Sequence, residues 1–180
     1  MKTRAKKCKE CGKLFMPKMT TTQQVCSWQC AILYTEAQKE KAWRKEKRER
    51  VDALKSHSEH LKDLQIVFNR FIRLRDKTKG CISCGRSLGV KYDAGHFYSV
   101  GRAPELRFDE DNVHAQCVHC NRHLHGNLIE YREGLIERIG MERFEALRGK
   151  YGNAVKLSVD DIKSERKKYM AKIRELKKNN

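Results

Sequence analysis

The stretch DAGHFYSVGRAPELRFDEDNVHAQCVHCNRHLH, residues 93–125, decides the fold of this chain. Its β-prone pieces are separated by Gly, Pro and acidic turn residues, so residues 81–116 are expected to contain a two-stranded ribbon. A helix should then run over residues 118–125 and end at Gly126, because Gly commonly follows the last turn of a helix. The sequence therefore predicts a strand, a loop, a strand and a helix in the middle of the chain.

All eight cysteines fall into two sets, each made of two closely spaced pairs. The sets are Cys8, Cys11, Cys26 and Cys30, then Cys81, Cys84, Cys117 and Cys120. Two such pairs can place four thiolates at the corners of a tetrahedron, which is the geometry that Zn²⁺ prefers. Disulfides or incidental buried cysteines are the alternative, which a reducing compartment disfavours. Because four cysteines leave no open position, we expect each zinc ion to be structural.

The chain is strongly basic, with 40 Lys and Arg against 23 Asp and Glu in 180 residues, a net charge of +17. A charge of this size and sign indicates a polyanionic partner, most often nucleic acid, although a merely solvated surface is the alternative. Residues 1–33 carry seven basic and one acidic side chains, whereas residues 77–130 carry seven and six and hold five of the seven histidines. We therefore expect the flanks to contact phosphates and the centre to bind metal.

Membrane and secreted proteins are the classes that the composition argues against. No stretch approaches the roughly 18 consecutive apolar residues of a membrane span. The basic start MKTRAKK is followed by Cys8 and Lys9 and not by the apolar segment of a signal peptide. We expect a cytoplasmic protein with no membrane contact.

Helical patterns lie on both sides of the central stretch. Residues 28–55 lack Gly and Pro and are rich in helix formers, so they form a solvated helix or a partly ordered linker. Ser56 and Glu59 have capping-box spacing, and apolar residues then recur at three and four positions over residues 61–74. A similar seam over residues 159–176 predicts a helix that packs on its own domain or on a partner helix.

Four polar residues of the central stretch could form a catalytic centre. His96 would lie on the first strand of the ribbon and Asn112 near the return strand. Asn121 and His125 are four apart, so on a helix they would share one face and could bind one cation. This order of His, Asn and Asn/His on strand, loop, strand and helix is typical of the ββα-metal nuclease site. The structural alternatives are a strand His, a turn Asn, a helix-capping Asn and a surface His.

The same residues resemble the HNH endonucleases in their zinc-stapled form, and the whole chain resembles the phage lambda NinG (Rap) family of recombination nucleases. This resemblance implies a structure-specific endonuclease that cuts branched recombination intermediates, including Holliday junctions and D-loops. It also implies that the cytoplasm would be that of a bacterial host. The motifs that carry it are CKECGKLFMPK (8–18), CSWQC (26–30), DAGHF (93–97), DNVHAQCVHCN (111–121), His125 and GNLIEYREGL (126–135).

The resemblance also implies a role for each central residue. His96 would be the general base that takes a proton from the attacking water. Asn112 would brace the loop that aims this base. Asn121 and His125 would bind one catalytic Mg²⁺ or Mn²⁺, which would contact the scissile phosphate and the leaving oxygen.

The chain departs from the HNH pattern directly before the base. Such sites usually have an Asp or His there, whereas this chain has Gly95, and the nearest acid is Asp93. Asp93 and His96 are three apart and should point to opposite faces of a strand. A bulge at Gly95 could bring Asp93 round as a metal ligand. Without it, water would complete the metal shell.

Contacts to DNA and to a second copy are expected outside this centre. Arg102 and Arg107, in the loop between the strands, could clamp phosphate or be solvated. Since one HNH site makes one cut and a junction needs two, we expect a homodimer formed by helices in 34–76 or 158–178. Recombination proteins are further candidate partners. Lysines around the first zinc suit contact with the DNA backbone, namely Lys6, Lys7, Lys9 and Lys13.

The sequence thus predicts an α+β, mostly helical chain whose central HNH core is stapled by the second zinc. Its parts would be an N-terminal zinc module (1–33), a charged helical linker with an amphipathic helix (34–76), the nuclease core (77–130) and a C-terminal helical region (131–180). The alternative function is a non-catalytic zinc protein that binds nucleic acid and assists recombination. A small interaction protein that recruits partners through its C-terminal seam is a third.

Overall fold

The structure is a computed structural model that describes residues 4–20, 22–152 and 156–178. These residues form helices and two small two-stranded sheets, which confirms the prediction of a mixed, mostly helical chain. The chain divides into two units, residues 1–55 and 56–180, so one boundary falls inside the segment 34–76. Within the described ranges, no helix combines the length and apolar character that crossing a membrane requires.

The first unit is built around a short hairpin and one long helix. Strands β1 (Lys6–Lys7) and β2 (Leu14–Phe15) pair antiparallel. Helix α1 (Trp28–Ala53) begins at Ser27, whose hydroxyl accepts a hydrogen bond from the Cys30 N–H. No residue of α1 is buried. Of the two predicted states of this segment, the structure therefore shows the solvated helix.

The described residues of the second unit form the ribbon and four α-helices. Its elements in chain order are α2 (His57–Arg75), β3 (Tyr92–His96), a 3₁₀ turn (Pro104–Leu106), β4 (Val113–Cys117), a π-helical turn (His119–His123), α3 (Leu128–Ile139), α4 (Met141–Gly149) and α5 (Val159–Lys178). The predicted capping box of Ser56 and Glu59 is present at the start of α2.

Helices α2 and α5 pack against each other, and α2 also packs against the ribbon. Phe68 and Tyr169 meet edge to face with ring centroids 4.9 Å apart. The C-terminal seam therefore packs within its own unit, one of its two predicted uses. The buried core here consists of Leu64, Phe68, Phe71, Ile72, Val113, Ile162, Tyr169 and Ile173.

The ribbon has an unbroken register, so the bulge that Gly95 could have allowed does not form. Five consecutive pairs join β3 to β4, from Tyr92 opposite Cys117 to His96 opposite Val113. Gly95 instead makes room for a cross-strand neighbour, since a Cβ there would lie 2.2 Å from Oε1 of Gln116. Gln116 is fully buried, and its Nε2 donates to the Gly126 carbonyl at 2.6 Å.

The prediction of a helix over residues 118–125 is wrong in both the type and the length of the element. The chain makes one π-helical turn, His119–His123, and His125 follows it in the left-handed region with φ 51°. The turn closes because the Gly126 N–H donates to the Cys120 carbonyl at 3.0 Å. His125, Gly126 and Asn127 all have positive φ, so no second helical turn follows.

Helix α3 approaches the Cys81–Cys84 turn closely at Gly134. A Cβ on Gly134 would lie 2.0 Å from the backbone oxygen of Ile82, so we expect Gly134→Ala to destabilise the second unit by about 1–3 kcal/mol or more. The gain in helix propensity, about 1 kcal/mol, would not offset this clash. Urea denaturation measures the effect, with Gly149→Ala in α4 as the control because no atom lies within 4 Å of its Cβ position. Equal stability of the two variants would contradict this packing.

Candidate active site

Each cysteine quartet gathers into a cluster that could hold one structural metal ion. The four Sγ atoms of a quartet lie within 4.8 Å of one another. In the first, Sγ of Cys26 lies 3.6 Å from Sγ of Cys11 and of Cys30. In the second, Cys84 and Cys117 are 3.9 Å apart at Sγ. Thiolates about 2.3 Å from a tetrahedral ion lie about 3.8 Å apart, so the donor sets fit.

Backbone N–H groups point at the sulfur atoms of the second cluster. The Cys117 N–H donates to Sγ of Cys81 at 3.3 Å, and the Cys120 N–H donates to Sγ of Cys117 at 3.4 Å. Burial alone would raise the pKa of Cys81, but N–H groups of Cys117, Cys84 and Ser83 outweigh it and lower the pKa to about 7. A thiolate is therefore available for metal at neutral pH.

The second cluster fixes the position of the residues that follow the ribbon. Cys117 ends β4 and Cys120 lies in the π-helical turn. The Cys81–Cys84 turn joins the ribbon through the Ile82 N–H, which donates to the Ala115 carbonyl at 3.0 Å. Asn121, the next residue, is thereby held beside β3.

Asp93 and Asn121, two of the three predicted ligands of the catalytic ion, are in contact. Nδ2 of Asn121 donates to Oδ2 of Asp93 at 3.0 Å. Arg122 donates to both oxygens of Asp93 at 2.7 Å, and this hydrogen-bonded guanidinium is the main reason that the Asp93 pKa is lowered. A carboxylate and an amide oxygen are hard donors that suit Mg²⁺ or Mn²⁺ with water in the remaining positions.

Asp93 reaches this position without a bulge. Asp93 and Gly95 are two apart on β3 and so share one face of the ribbon. The residue directly before the base would point to this same face. The three-residue spacing between Asp93 and His96 is therefore compatible with a role for Asp93 as a metal ligand.

The helical face that would join His125 to Asn121 is not present. The prediction placed Asn121 and His125 on one helical face, but His125 lies beyond the π-helical turn in a left-handed conformation. In the described part of the chain it forms no hydrogen bond with Asp93 or Asn121. Nor do the described residues contain a third group of three His, Cys, Asp or Glu side chains close enough for an ion.

His96 ends β3 with one ring nitrogen occupied. Its Nε2 lies 3.1 Å from the carbonyl oxygen of Arg107. Because a carbonyl only accepts, Nε2 carries the proton in this contact and Nδ1 keeps its lone pair. Burial lowers the pKa of His96, so the imidazole is neutral at pH 7 and able to take a proton.

Asn112 is fully buried, and its side chain holds the loop between the strands through hydrogen bonds to the loop backbone. Its Oδ1 accepts from the Tyr98 N–H at 2.8 Å. Its Nδ2 donates to the carbonyls of Tyr98 and Leu106 at 3.0 and 2.9 Å. The loop held in this way carries Arg107, whose carbonyl contacts His96, so these are the contacts that a bracing residue would make.

The predicted DNA contacts have mixed environments. Nε of Arg107 donates to Oε1 of Gln65 at 2.6 Å, and its guanidinium lies over the Phe108 ring. Arg102 is exposed and lies over the Tyr151 ring at 5.8 Å. In the first unit, Lys13 is exposed, while the other lysines of the prediction line an open recess of about 420 Å³, namely Lys6, Lys7 and Lys9.

Tyr131 is a site residue that sequence reasoning missed. It is fully buried in α3, and its hydroxyl donates to the Gly95 carbonyl at 2.9 Å and accepts from the His114 N–H at 3.1 Å. It therefore contacts both strands next to His96. In sequence it is one apolar position on a helix face, and no local pattern distinguishes it.

Comparison with known proteins identifies the family. The family model described as Bacteriophage Lambda NinG protein matches residues 1–179. Protein ninG of Escherichia phage 933W is 42% identical over 125 residues, which are 69% of this chain and 62% of that protein. Protein ninG of Escherichia phage lambda and that of Salmonella phage P22 are each 41% identical over 125 residues, 69% of this chain and 61% of theirs. The chain thus spans about three fifths of the length of these curated relatives, and no solved structure matches it. The chain belongs to the NinG family of bacteriophage proteins.

Proposed function

We propose that the chain is a metal-dependent endonuclease of the HNH type that cuts branched DNA recombination intermediates, including Holliday junctions and D-loops. The observation that carries this proposal is the environment of His96. Its Nε2 is bonded to the Arg107 carbonyl, and the other face of the same strand bears Asp93 in contact with Asn121. A base with a free nitrogen thus shares one short ribbon with Asp93, whose carboxylate contacts Asn121 in the π-helical turn.

In the proposed reaction, Nδ1 of His96 takes a proton from water as that water attacks phosphorus. Asn112 holds the loop whose carbonyl keeps the ring in this orientation. Asp93 and Asn121 would hold Mg²⁺ or Mn²⁺, and the bound ion would offset charge on the phosphate and the leaving oxygen. We further propose that Zn²⁺ occupies both cysteine clusters as a structural ion.

Arg122 competes with the proposed catalytic ion for Asp93. Its guanidinium contacts both carboxylate oxygens, so the ion has to displace it. We expect Arg122→Ala to raise the affinity for Mn²⁺ by up to about fivefold, because an exposed ion pair is worth at most about 1 kcal/mol. Titration calorimetry with zinc-loaded protein measures this affinity without DNA. Arg174→Ala, which removes an exposed arginine of α5, is the control. An affinity unchanged in Arg122→Ala would contradict the competition.

A cleavage assay tests the proposed function directly. Labelled four-way junctions, D-loops and linear duplexes of the same sequence are incubated with zinc-loaded protein and Mg²⁺ or Mn²⁺. We expect cutting of the branched substrates and little cutting of the linear duplex. If paired symmetric cuts require a homodimer, light scattering on the junction should show two copies. Binding without cutting in either ion would instead favour the alternative, a non-catalytic nucleic-acid-binding protein.

A further inference from the structure

A wide basic cleft opens beside Asp93 in the second unit. It encloses about 710 Å³ between α2, the start of β3, the π-helical turn and the end of α5. Asp93 is the one acidic residue among its lining residues. The cleft has five cationic side chains, Arg70, Arg73, Lys91, Arg122 and Lys177.

Most of this positive charge is not neutralised by the protein. Arg122 pairs with Asp93, so these two charges offset each other. The other four cations form no ion pair among the residues that the structure describes. Arg70, Lys91 and Lys177 are exposed, and Arg73 is half-buried. Four unpaired charges of one sign along a concave surface concentrate a positive potential, which attracts a polyanion.

The position of the cleft indicates which polyanion it would take. Asp93, the proposed metal ligand, lies in its wall, and Arg122, the residue after Asn121, lines it too. A chain of phosphates lying in the cleft would therefore run up to the proposed metal site. Repeated negative charge, and not one anion, matches cations spread over α2, the residue before β3, the π-helical turn and α5.

We propose that this cleft binds the phosphodiester backbone of the DNA arm next to the scissile phosphate. The inference rests on the proposed function for the identity of the nucleic acid. It assigns the main DNA contact of the second unit to residues that neither motif nor spacing singled out. Each bound phosphate would release condensed counterions, so occupancy of the cleft has a measurable salt signature.

The test measures binding without cutting. Fluorescence anisotropy of a labelled four-way junction is recorded at several salt concentrations, with zinc-loaded protein and no added Mg²⁺ or Mn²⁺. The cleft variant carries Arg70→Ala, Arg73→Ala and Lys177→Ala. The control variant carries three changes at exposed lysines that do not line the cleft, Lys62→Ala, Lys77→Ala and Lys167→Ala. Both lose three positive charges, so only the location of the charge differs.

We expect the cleft variant to bind about 10²-fold more weakly at 0.1 M salt, with a salt slope smaller by about 2.7. The control variant should stay close to the wild type in both quantities. Equal losses in the two variants would overturn the proposal, because net charge alone would then explain binding. Zinc content and circular dichroism show whether each variant is folded, and single substitutions replace the triple change if it is not.

Failure of this inference and failure of the proposed function give different results. If the cleft variant loses binding while the wild type never cuts with either ion, the cleft proposal stands and the nuclease proposal fails. If the wild type cuts and the cleft variant binds like the control, the cleft proposal fails and the nuclease proposal stands.

Discussion

Replacing His96 with Ala is expected to lower the rate of junction cleavage by about 10²- to 10⁴-fold, the usual contribution of a general base. Junction binding and zinc content should not change, because the His96 ring contacts the Arg107 carbonyl and neither cysteine cluster. Single-turnover cleavage at saturating protein measures the chemical step apart from binding. His119→Ala is the matched control, since it removes an exposed imidazole from the π-helical turn of the same unit.

The pH dependence of cleavage gives the same assignment a second readout. Burial lowers the pKa of His96 below its usual 6.5, so the neutral ring persists as the pH falls to that value. Cleavage should therefore hold between pH 7.5 and 6.5 and decline at lower pH as the base is protonated. The assignment would be wrong if His96→Ala cleaved at the wild-type rate. It would also be wrong if wild-type cleavage already declined above pH 6.5.

Loss of the proposed zinc ion from the second cysteine cluster is expected to unfold the ribbon and abolish cleavage. Cys120→Ser removes a buried ligand that lies between β4 and Asn121. A structural zinc contributes folding free energy on the order of 10 kcal/mol in small zinc domains, which exceeds the stability of most domains. We expect one zinc per chain by mass spectrometry of metals, and a second unit without its cooperative urea transition.

Cys11→Ser is the matched control for this variant. It also removes one zinc ligand, but from the unit that ends at residue 55. We expect the urea transition of the second unit to remain at its wild-type midpoint. If Cys120→Ser retained two zinc ions and the wild-type midpoint, the second cluster would have no structural role.

The features that the sequence predicted well depend on short-range chemistry. Cys81 and Cys84, and likewise Cys117 and Cys120, are paired by a two-residue gap, and two such pairs suit one tetrahedral metal ion. Ser56 and Glu59 form their capping box within one turn of helix. As predicted, His96 lies on the first ribbon strand and Asn112 directly precedes the return strand, because Gly, Pro and acidic residues mark the loop between them.

The features that the sequence missed depend on contacts between distant segments. His125 was placed by helical spacing, but the hydrogen bond from Gly126 to Cys120 closes the turn first. The ion pair of Asp93 and Arg122 joins residues 29 apart, and no local pattern indicates it. The cleft combines side chains from α2, β3, the π-helical turn and α5, so only the folded chain brings its cations together.

Helix α1 has a consequence for how the stability of this protein should be reported. A helix of 26 residues without one buried side chain has only its own backbone and neighbouring charges to hold it beyond Tyr34, whose hydroxyl donates to Gln24 at 3.2 Å. Its amide protons would exchange with solvent at rates set by helix fraying, while those of α2 and α5 wait for cooperative opening. A thermal melt would thus show a gradual loss of helix α1 together with a sharp, cooperative unfolding of the second unit. A single Tm would describe the second unit alone.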